Sequence, residues 1–226
     1  MDRAAFVATV APIAVKLRLE GSSIFASVRV AQTLLETGGR LNGWNNIVGY
    51  KVGGGQPNGY WKGASVNVRT WEVINDQTVY IYDSFRAYDT IEDCLRDQDL
   101  LFLYPRYDRV RQAGTPELQA EMLRACGYAT DPNYAGAIID LIRQNDFKRF
   151  DREVEQVLEK LEQLQLQISA LQSQVAALEG RASMPIPEWA EAAVQKAVAA
   201  GIIDSPENGS YDFYRLLTIL HRKQLI

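Results

Sequence analysis

Between residues 154 and 178, apolar side chains recur with a period that a single kind of element satisfies. Val154, Leu161, Ile168 and Val175 are spaced by seven, and Val157, Leu164, Leu171 and Leu178 each follow one of them by three. With Glu, Gln and Lys filling many of the other positions, the pattern predicts one long helix with an a/d seam. That stripe is narrower than the apolar face of an ordinary globular helix and needs a partner helix. Three β-branched residues in the first series and three leucines in the second favour a parallel homodimer; packing on the chain's own preceding domain is the alternative. The coil divides the chain into an expected domain at 1–150, a coiled-coil helix at 151–182 and a C-terminal module at 183–226. Gly180 to Pro187 ends the coil as a linker. In the last block Trp189, Ala193, Val194, Ala197 and Val198 predict one helical face ending at Gly201, and Tyr214, Leu216, Leu217, Ile219 and Leu220 predict a second. A module of this size is marginal alone and is expected to gain stability beside the coil.

The first block mixes periods. Helical patterns fall near 3–19, 22–37, 90–103, 116–126 and 131–146. The alternating run from Ala64 to Val73 predicts a strand, Asn75-Asp76 a turn, and Gln77 to Tyr82 an antiparallel return. The expected class is therefore α+β, a mainly helical domain carrying a small β-hairpin lobe.

Charge and composition narrow the chemistry. A formal net charge of −4 and a pI near 5.2 argue against a nucleic-acid partner held by bulk positive charge. The single histidine, His221, is too few for a zinc site, and neither Cys94 nor Cys126 has a ready histidine partner. No metal or cofactor is expected. No stretch is long enough for a transmembrane helix. The apolar run Ala4 to Val15 is interrupted by Pro12 and reads as a first core helix rather than a secretory signal. If the chain is a hydrolase, carboxylates are its expected catalysts.

Glu36 is the leading carboxylate. Val28, Ala31, Leu34 and Leu35 lie at near-helical spacing before it, and Gly38-Gly39 supplies a helix stop after it. The last turn of a helix disfavours an ionised carboxylate, which raises its pKa and keeps a proton available for a leaving-group oxygen. A solvated helix-end glutamate is the plainer reading of the same residue. The following run, Leu41-Asn42-Gly43-Trp44-Asn45-Asn46-Ile47-Val48-Gly49-Tyr50-Lys51, interleaves amides with aromatic rings, as a sugar-binding groove does; a turn-rich loop with structural asparagines is equally compatible.

Four motifs in order resemble the endo-β-N-acetylglucosaminidases of glycoside hydrolase family 73: Ala31-Gln32-Thr33-Leu34-Leu35-Glu36-Thr37-Gly38, Asn45-Asn46-Ile47-Val48-Gly49-Tyr50-Lys51, Phe85-Arg86-Ala87-Tyr88-Asp89 and Gly127-Tyr128-Ala129-Thr130-Asp131-Pro132-Asn133-Tyr134-Ala135. In the third, Asp89 stands where that family has serine. The resemblance covers about 3–146. It implies a lysozyme-like fold and cleavage of the N-acetylglucosaminyl-β-1,4-N-acetylmuramic acid bond of peptidoglycan, with Glu36 as general acid. It further implies Glu72, in the hairpin, as the group that activates water, and Tyr134 as a supporting or substrate-orienting residue. Trp44, Asn45, Asn46, Tyr50, Tyr88 and Tyr128 are the expected contacts to the glycan strand. Inverting, retaining and substrate-assisted routes all remain open to such a pair of carboxylates.

The C-terminal block loosely resembles the tail of phage lysins, and with the expected absence of a signal peptide this points to an endolysin held in the host cytoplasm until lysis. A bacterial autolysin exported by another route is the alternative. Two rival classes remain: a lytic transglycosylase of the same fold, and a non-catalytic dimeric wall-binding or virion protein.

Overall fold

The computed structural model describes the backbone of residues 2–74 and 77–226, with side chains described throughout except at 70–81. Two compact units divide at Leu158/Glu159.

The first unit contains α1 (Arg3–Leu19), α2 (Ala26–Thr37), the hairpin β1 (Ser65–Ile74) and β2 (Gln77–Arg86), α3 (Ile91–Phe102), a short α4 (Asp108–Arg111), α5 (Pro116–Ala125), α6 (Tyr134–Gln144) and the first turns of α7 (Lys148–Ala182). Every residue of α2 from Ala26 to Leu34 is buried, because α1, α5 and α6 all pack on it. A helix enclosed on every side should be apolar all round, yet this one carries Arg29, Gln32 and Thr33 inside the core. Those side chains need polar partners, and the partners they find lead to the site described below.

Helix α2 begins at Ala26, four residues later than the sequence pattern predicts. Gly21 turns the chain with φ +103°, and the Ser22 hydroxyl accepts from Arg29 Nη2 at 2.8 Å instead of capping the helix. The helix N-terminus is served from elsewhere. Gln119 Oε1 accepts from Phe25 N at 2.8 Å and Asp151 Oδ1 accepts from Ser27 N at 3.0 Å. A carboxylate there meets the positive pole of the helix. Asp151 thereby ties the start of α7 to the central helix.

The two strands pair antiparallel from Ser65↔Arg86 to Ile74↔Gln77; the expected Asn75-Asp76 turn lies outside the described residues. The loop before the hairpin joins it, with Val52 N donating to Ser84 O at 2.8 Å and Arg86 N to Tyr50 O at 2.9 Å. This unit is the α+β, lysozyme-like domain that the sequence predicts, mainly helical with one small hairpin lobe.

Helix α7 carries the heptad seam. Val154, the first seam position, is 3% exposed and belongs to the core of the first unit, which corrects the expected extent of the free stripe. Val157, Leu161, Leu164, Ile168, Leu171, Val175 and Leu178 are 38–65% exposed. In the second unit, α8 (Glu191–Ala199) and α9 (Tyr211–Arg222) follow α7. Their shared core is Ala190, Ala193, Val194, Ala197, Tyr214 and Leu217. Trp189, Val198, Leu216 and Ile219, which the pattern places on inward faces, are exposed instead. Tyr214 is the pivot: its hydroxyl donates to Pro206 O at 2.7 Å and accepts from Gly209 N at 3.0 Å, holding the α8–α9 loop.

Candidate active site

Glu36 stands in the last turn of α2, which Gly38 ends in a left-handed conformation (φ +60°). The side chain is accessible at the surface where two cavities meet. One, of about 260 Å³, is lined by Thr37, Arg40, Leu41, Trp44, Val68 and Phe85 beside Glu36. The other, of about 540 Å³, runs past Tyr50, Lys51, Arg106, Tyr107, Tyr128 and Tyr134. Glu36 and Gly49 border both. A more apolar cavity of about 570 Å³ between α1 and the start of α7 shares no lining residue with them.

Tyr134, the first residue of α6, donates its phenol to Glu36 Oε1 at 3.0 Å. That leaves Oε2 as the oxygen facing open space. Gly49 is the residue across from it: with φ +67°, it has no side chain, and a Cβ there would stand 3.9 Å from Oε2. Glu36 has its pKa raised, first because surrounding protein desolvates the charged form, with the Tyr134 hydrogen bond pulling the other way. The direction matches the sequence expectation, and the leading cause is desolvation by the surrounding protein. Burial, then Tyr128 and Glu36, also push the Tyr134 phenol well above its ordinary range. Tyr134 therefore keeps its proton and remains a donor.

The structure sorts the expected contacts into two groups. Trp44, Tyr50 and Tyr128 line the cavities beside Glu36. Asn45, Asn46 and Tyr88 are committed to the protein itself. Asn45, at φ 55°, donates from Nδ2 to the carbonyls of Tyr88 and Asp89, each at 3.0 Å. Asn46 borders the smaller cavity, but its amide donates to Tyr50 O and Arg86 O and accepts from Tyr50 N at 2.8–3.0 Å. Tyr88 is 5% exposed, and its hydroxyl donates to Asp97 Oδ2 at 2.7 Å. Asn45 and Tyr88 support the loop, and Asn46 borders the groove with its amide engaged by the backbone. The backbone of Glu72 pairs with Val79 in the hairpin, and its side chain lies outside the described residues.

An ion pair behind the loop fixes its shape. Arg86 Nη1 donates to Asp97 Oδ2 at 2.6 Å, and its guanidinium is sandwiched 4.0 Å from the Tyr50 ring centre and 4.3 Å from that of Trp61. Asn58 Nδ2 donates to the other carboxylate oxygen at 2.6 Å. Gly55 makes room for this stack, since a Cβ there would fall 2.1 Å from Arg86 Nη2.

Sequence reasoning missed Arg29 and Gln32 on α2, Gln98 on α3, and the cations Arg40 and Arg106 at the cavity walls. A signal for the first two was present. Arg29, Gln32, Thr33 and Glu36 recur at spacings of three, one and three, a polar stripe within an otherwise apolar helix. Among the described residues, no three His, Cys, Asp or Glu side chains are grouped to hold a metal.

A helical domain with a hairpin lobe and a desolvated glutamate at the meeting of two cavities belongs to the lysozyme-like glycoside hydrolases in fold. Residues 12–147 match the Glucosaminidase family model, described as mannosyl-glycoprotein endo-β-N-acetylglucosaminidase. The chain belongs to this family. Peptidoglycan hydrolase FlgJ of Escherichia coli K12 is 31% identical over 147 residues, 63% of this chain and 47% of that protein. Exo-glucosaminidase LytG of Bacillus subtilis is 29% identical over 143 residues, 57% of this chain and 46% of LytG. The chain thus spans about half the length of these relatives. Among solved structures, a mutant peptidoglycan hydrolase from Sphingomonas sp. A1 superposes with a TM-score of 0.53 at 31% identity, covering 66% of this chain and 98% of that one.

Proposed function

We propose that this protein hydrolyses peptidoglycan at the N-acetylglucosaminyl-β-1,4-N-acetylmuramic acid bond, with Glu36 as general acid. The observation that carries the reading is the Tyr134–Glu36 pair at the junction of two cavities. One carboxyl oxygen is held and the other is open. The raised pKa, set by desolvation, favours the protonated form that a leaving sugar oxygen needs. The names of the bacterial relatives support peptidoglycan as the substrate. Glu72 is the proposed water-activating carboxylate, on the strand that also brings Val68 to the smaller cavity.

Mass spectrometry of purified peptidoglycan digested by wild type and by Glu72→Gln tests the bond and the second carboxylate together. Reducing N-acetylglucosamine ends are expected from wild type, with a rate at least about a hundredfold lower in the variant. Reducing muramic ends or anhydro-muramic ends would reassign the reaction. A variant as fast as wild type would remove Glu72 from it.

The second unit fits a wall-associated lysin. Trp189 is exposed and packs edge-on against Tyr211, with ring centres 5.7 Å apart, and the Arg181 guanidinium lies 5.5 Å from the Tyr211 ring. Such an aromatic platform suits carbohydrate stacking. The exposed seam from Val157 to Leu178 is proposed to bury itself against a second copy in parallel. Sedimentation equilibrium of the full chain is expected to show a dimer that Leu171→Asn converts to monomer; a wild-type monomer at tens of micromolar would sink the coiled coil.

A further inference from the structure

Behind Tyr134 the core holds polar side chains enclosed by the surrounding helices. Arg29, Gln32 and Gln98 are each 0% exposed. Arg29 donates from Nη1 to Gln98 Oε1 at 3.1 Å and to Leu95 O at 3.1 Å, and its Nη2 meets Asp99 and Ser22. Gln98 Nε2 donates to Gln32 Oε1 at 3.1 Å and to Tyr128 Oη at 3.0 Å. Gln32 Nε2 donates to Tyr134 Oη at 3.0 Å, and Tyr134 donates to Glu36 Oε1.

The direction of this chain is set at its far end. A guanidinium has five donors and no acceptor. Gln98 must therefore turn its oxygen towards Arg29, which turns its amide nitrogen towards Gln32. Gln32 must answer with its own oxygen and present nitrogen to Tyr134. The phenol oxygen, already accepting from Gln32, has one proton to give, and Glu36 is where it points. In a low-dielectric core each such bond also polarises the next.

We propose that Arg29, Gln98 and Gln32 are positioning residues for the hydrolytic reaction: they fix the polarity of a buried donor chain so that Tyr134 always donates to Glu36. The chain does its work when the proton leaves. As Glu36 protonates the departing sugar oxygen it becomes a carboxylate, and the Tyr134 O–H is already aimed at Oε1 to receive the new charge without reorganisation. It also keeps Oε2, and not Oε1, as the oxygen that delivers the proton. This inference rests on the reading of Glu36 as general acid.

Gln98→Glu reverses the chain with almost no change of shape. A carboxylate at 98 pairs with Arg29 but offers Gln32 only acceptors, so the Gln32 amide flips and presents oxygen to Tyr134. The phenol then donates to Gln32, and Glu36 loses its donor. Loss of a bond to a charged group predicts a fall of about tenfold or more in kcat on soluble peptidoglycan fragments, with KM unchanged. Because donation favours ionised Glu36, its loss raises the Glu36 pKa. Activity requires protonated Glu36, so the alkaline limb of the pH–rate profile should move up by about one pH unit.

Other charges face Glu36 as well: Arg40 from the loop after α2, Lys51 before the hairpin, and Arg106 and Asp131 across the larger cavity. The phenols of Tyr50, Tyr107 and Tyr128 line the same wall. All are common to wild type and variant. Repeating the substitution in a Tyr134→Phe background separates a reversed chain from a new charge, since the effect of Gln98→Glu should vanish there. An effect of equal size in both backgrounds, or a rate loss with no movement of the alkaline limb, overturns the proposal. Should Gln98→Glu fail to fold, Gln32→Glu imposes the same reversal one link nearer and is read in the same way. Glu36→Gln with full activity would refute the general acid itself; an inactive Glu36→Gln beside a wild-type-like Gln98→Glu would refute only the chain.

Discussion

Glu36→Gln should abolish turnover while leaving the protein folded. The amide keeps the shape and can still accept from Tyr134, but it has no acidic proton to deliver, and loss of a general acid costs about a hundredfold to ten-thousandfold in rate. The effect on stability has the opposite sign. Glu36 has a raised pKa in the folded state, so the stability linked to this group is fully present below the ordinary carboxylate pKa. It is lost as the pH rises through the folded value, because the desolvated carboxylate must then ionise. Glutamine never ionises. The melting temperature of the variant should therefore equal that of wild type at low pH and match or exceed it at pH 8. Thermal unfolding at the two pH values, beside a turnover assay, checks both halves. A variant less stable at pH 8 than at pH 4 relative to wild type would contradict the assigned direction.

Asp97→Ala should be the most damaging substitution away from the cavities. Asp97 is 1% exposed and accepts from Arg86, Tyr88 and Asn58. Removing it leaves the Arg86 guanidinium buried between two rings with no counter-charge. Breaking one side of a buried pair costs about 3–5 kcal/mol. For a chain of this size that corresponds to a fall of roughly 10 °C in the midpoint of the first unit. The loss should extend to substrate binding, because Tyr50 stacks on Arg86 and Trp44 O accepts from Tyr88 N at 3.0 Å. Asp97→Asn retains acceptor oxygen for Tyr88 or Arg86 and should lie between the two. Calorimetry showing a loss below about 1 kcal/mol for Asp97→Ala would mean that the stack alone holds the loop.

The helices were legible because their periods were strong. The ranges expected for α1, α3, α5 and α6 fall within a few residues of those observed, and the hairpin lies where alternation places it. Glu36 was legible for a related reason: an amphipathic run followed by two glycines locates a last turn with no tertiary information. The groove residues were harder. Asn45 and Asn46 have the composition of a sugar-binding loop, and local pattern cannot distinguish an amide that bonds a glycan from one that bonds its own backbone. Tyr88 sits inside a family motif, yet its hydroxyl is spent on Asp97. Val154 obeys the heptad and still belongs to the core of the first unit, because α7 begins within that unit.

Local periodicity and chain punctuation by themselves determined the α+β class, the long helix with its apolar seam and the position of the acidic group, since each depends on neighbours within about one or two turns. Tertiary structure alone decided what each polar side chain faces. Gln32 and Glu36 lie one turn apart on α2, but Tyr134 reaches them from about a hundred positions along the chain and Gln98 from a third helix. Desolvation, which raises the Glu36 pKa, and the guanidinium of Arg29, which sets the direction of every bond leading to it, arise only when those helices close around α2.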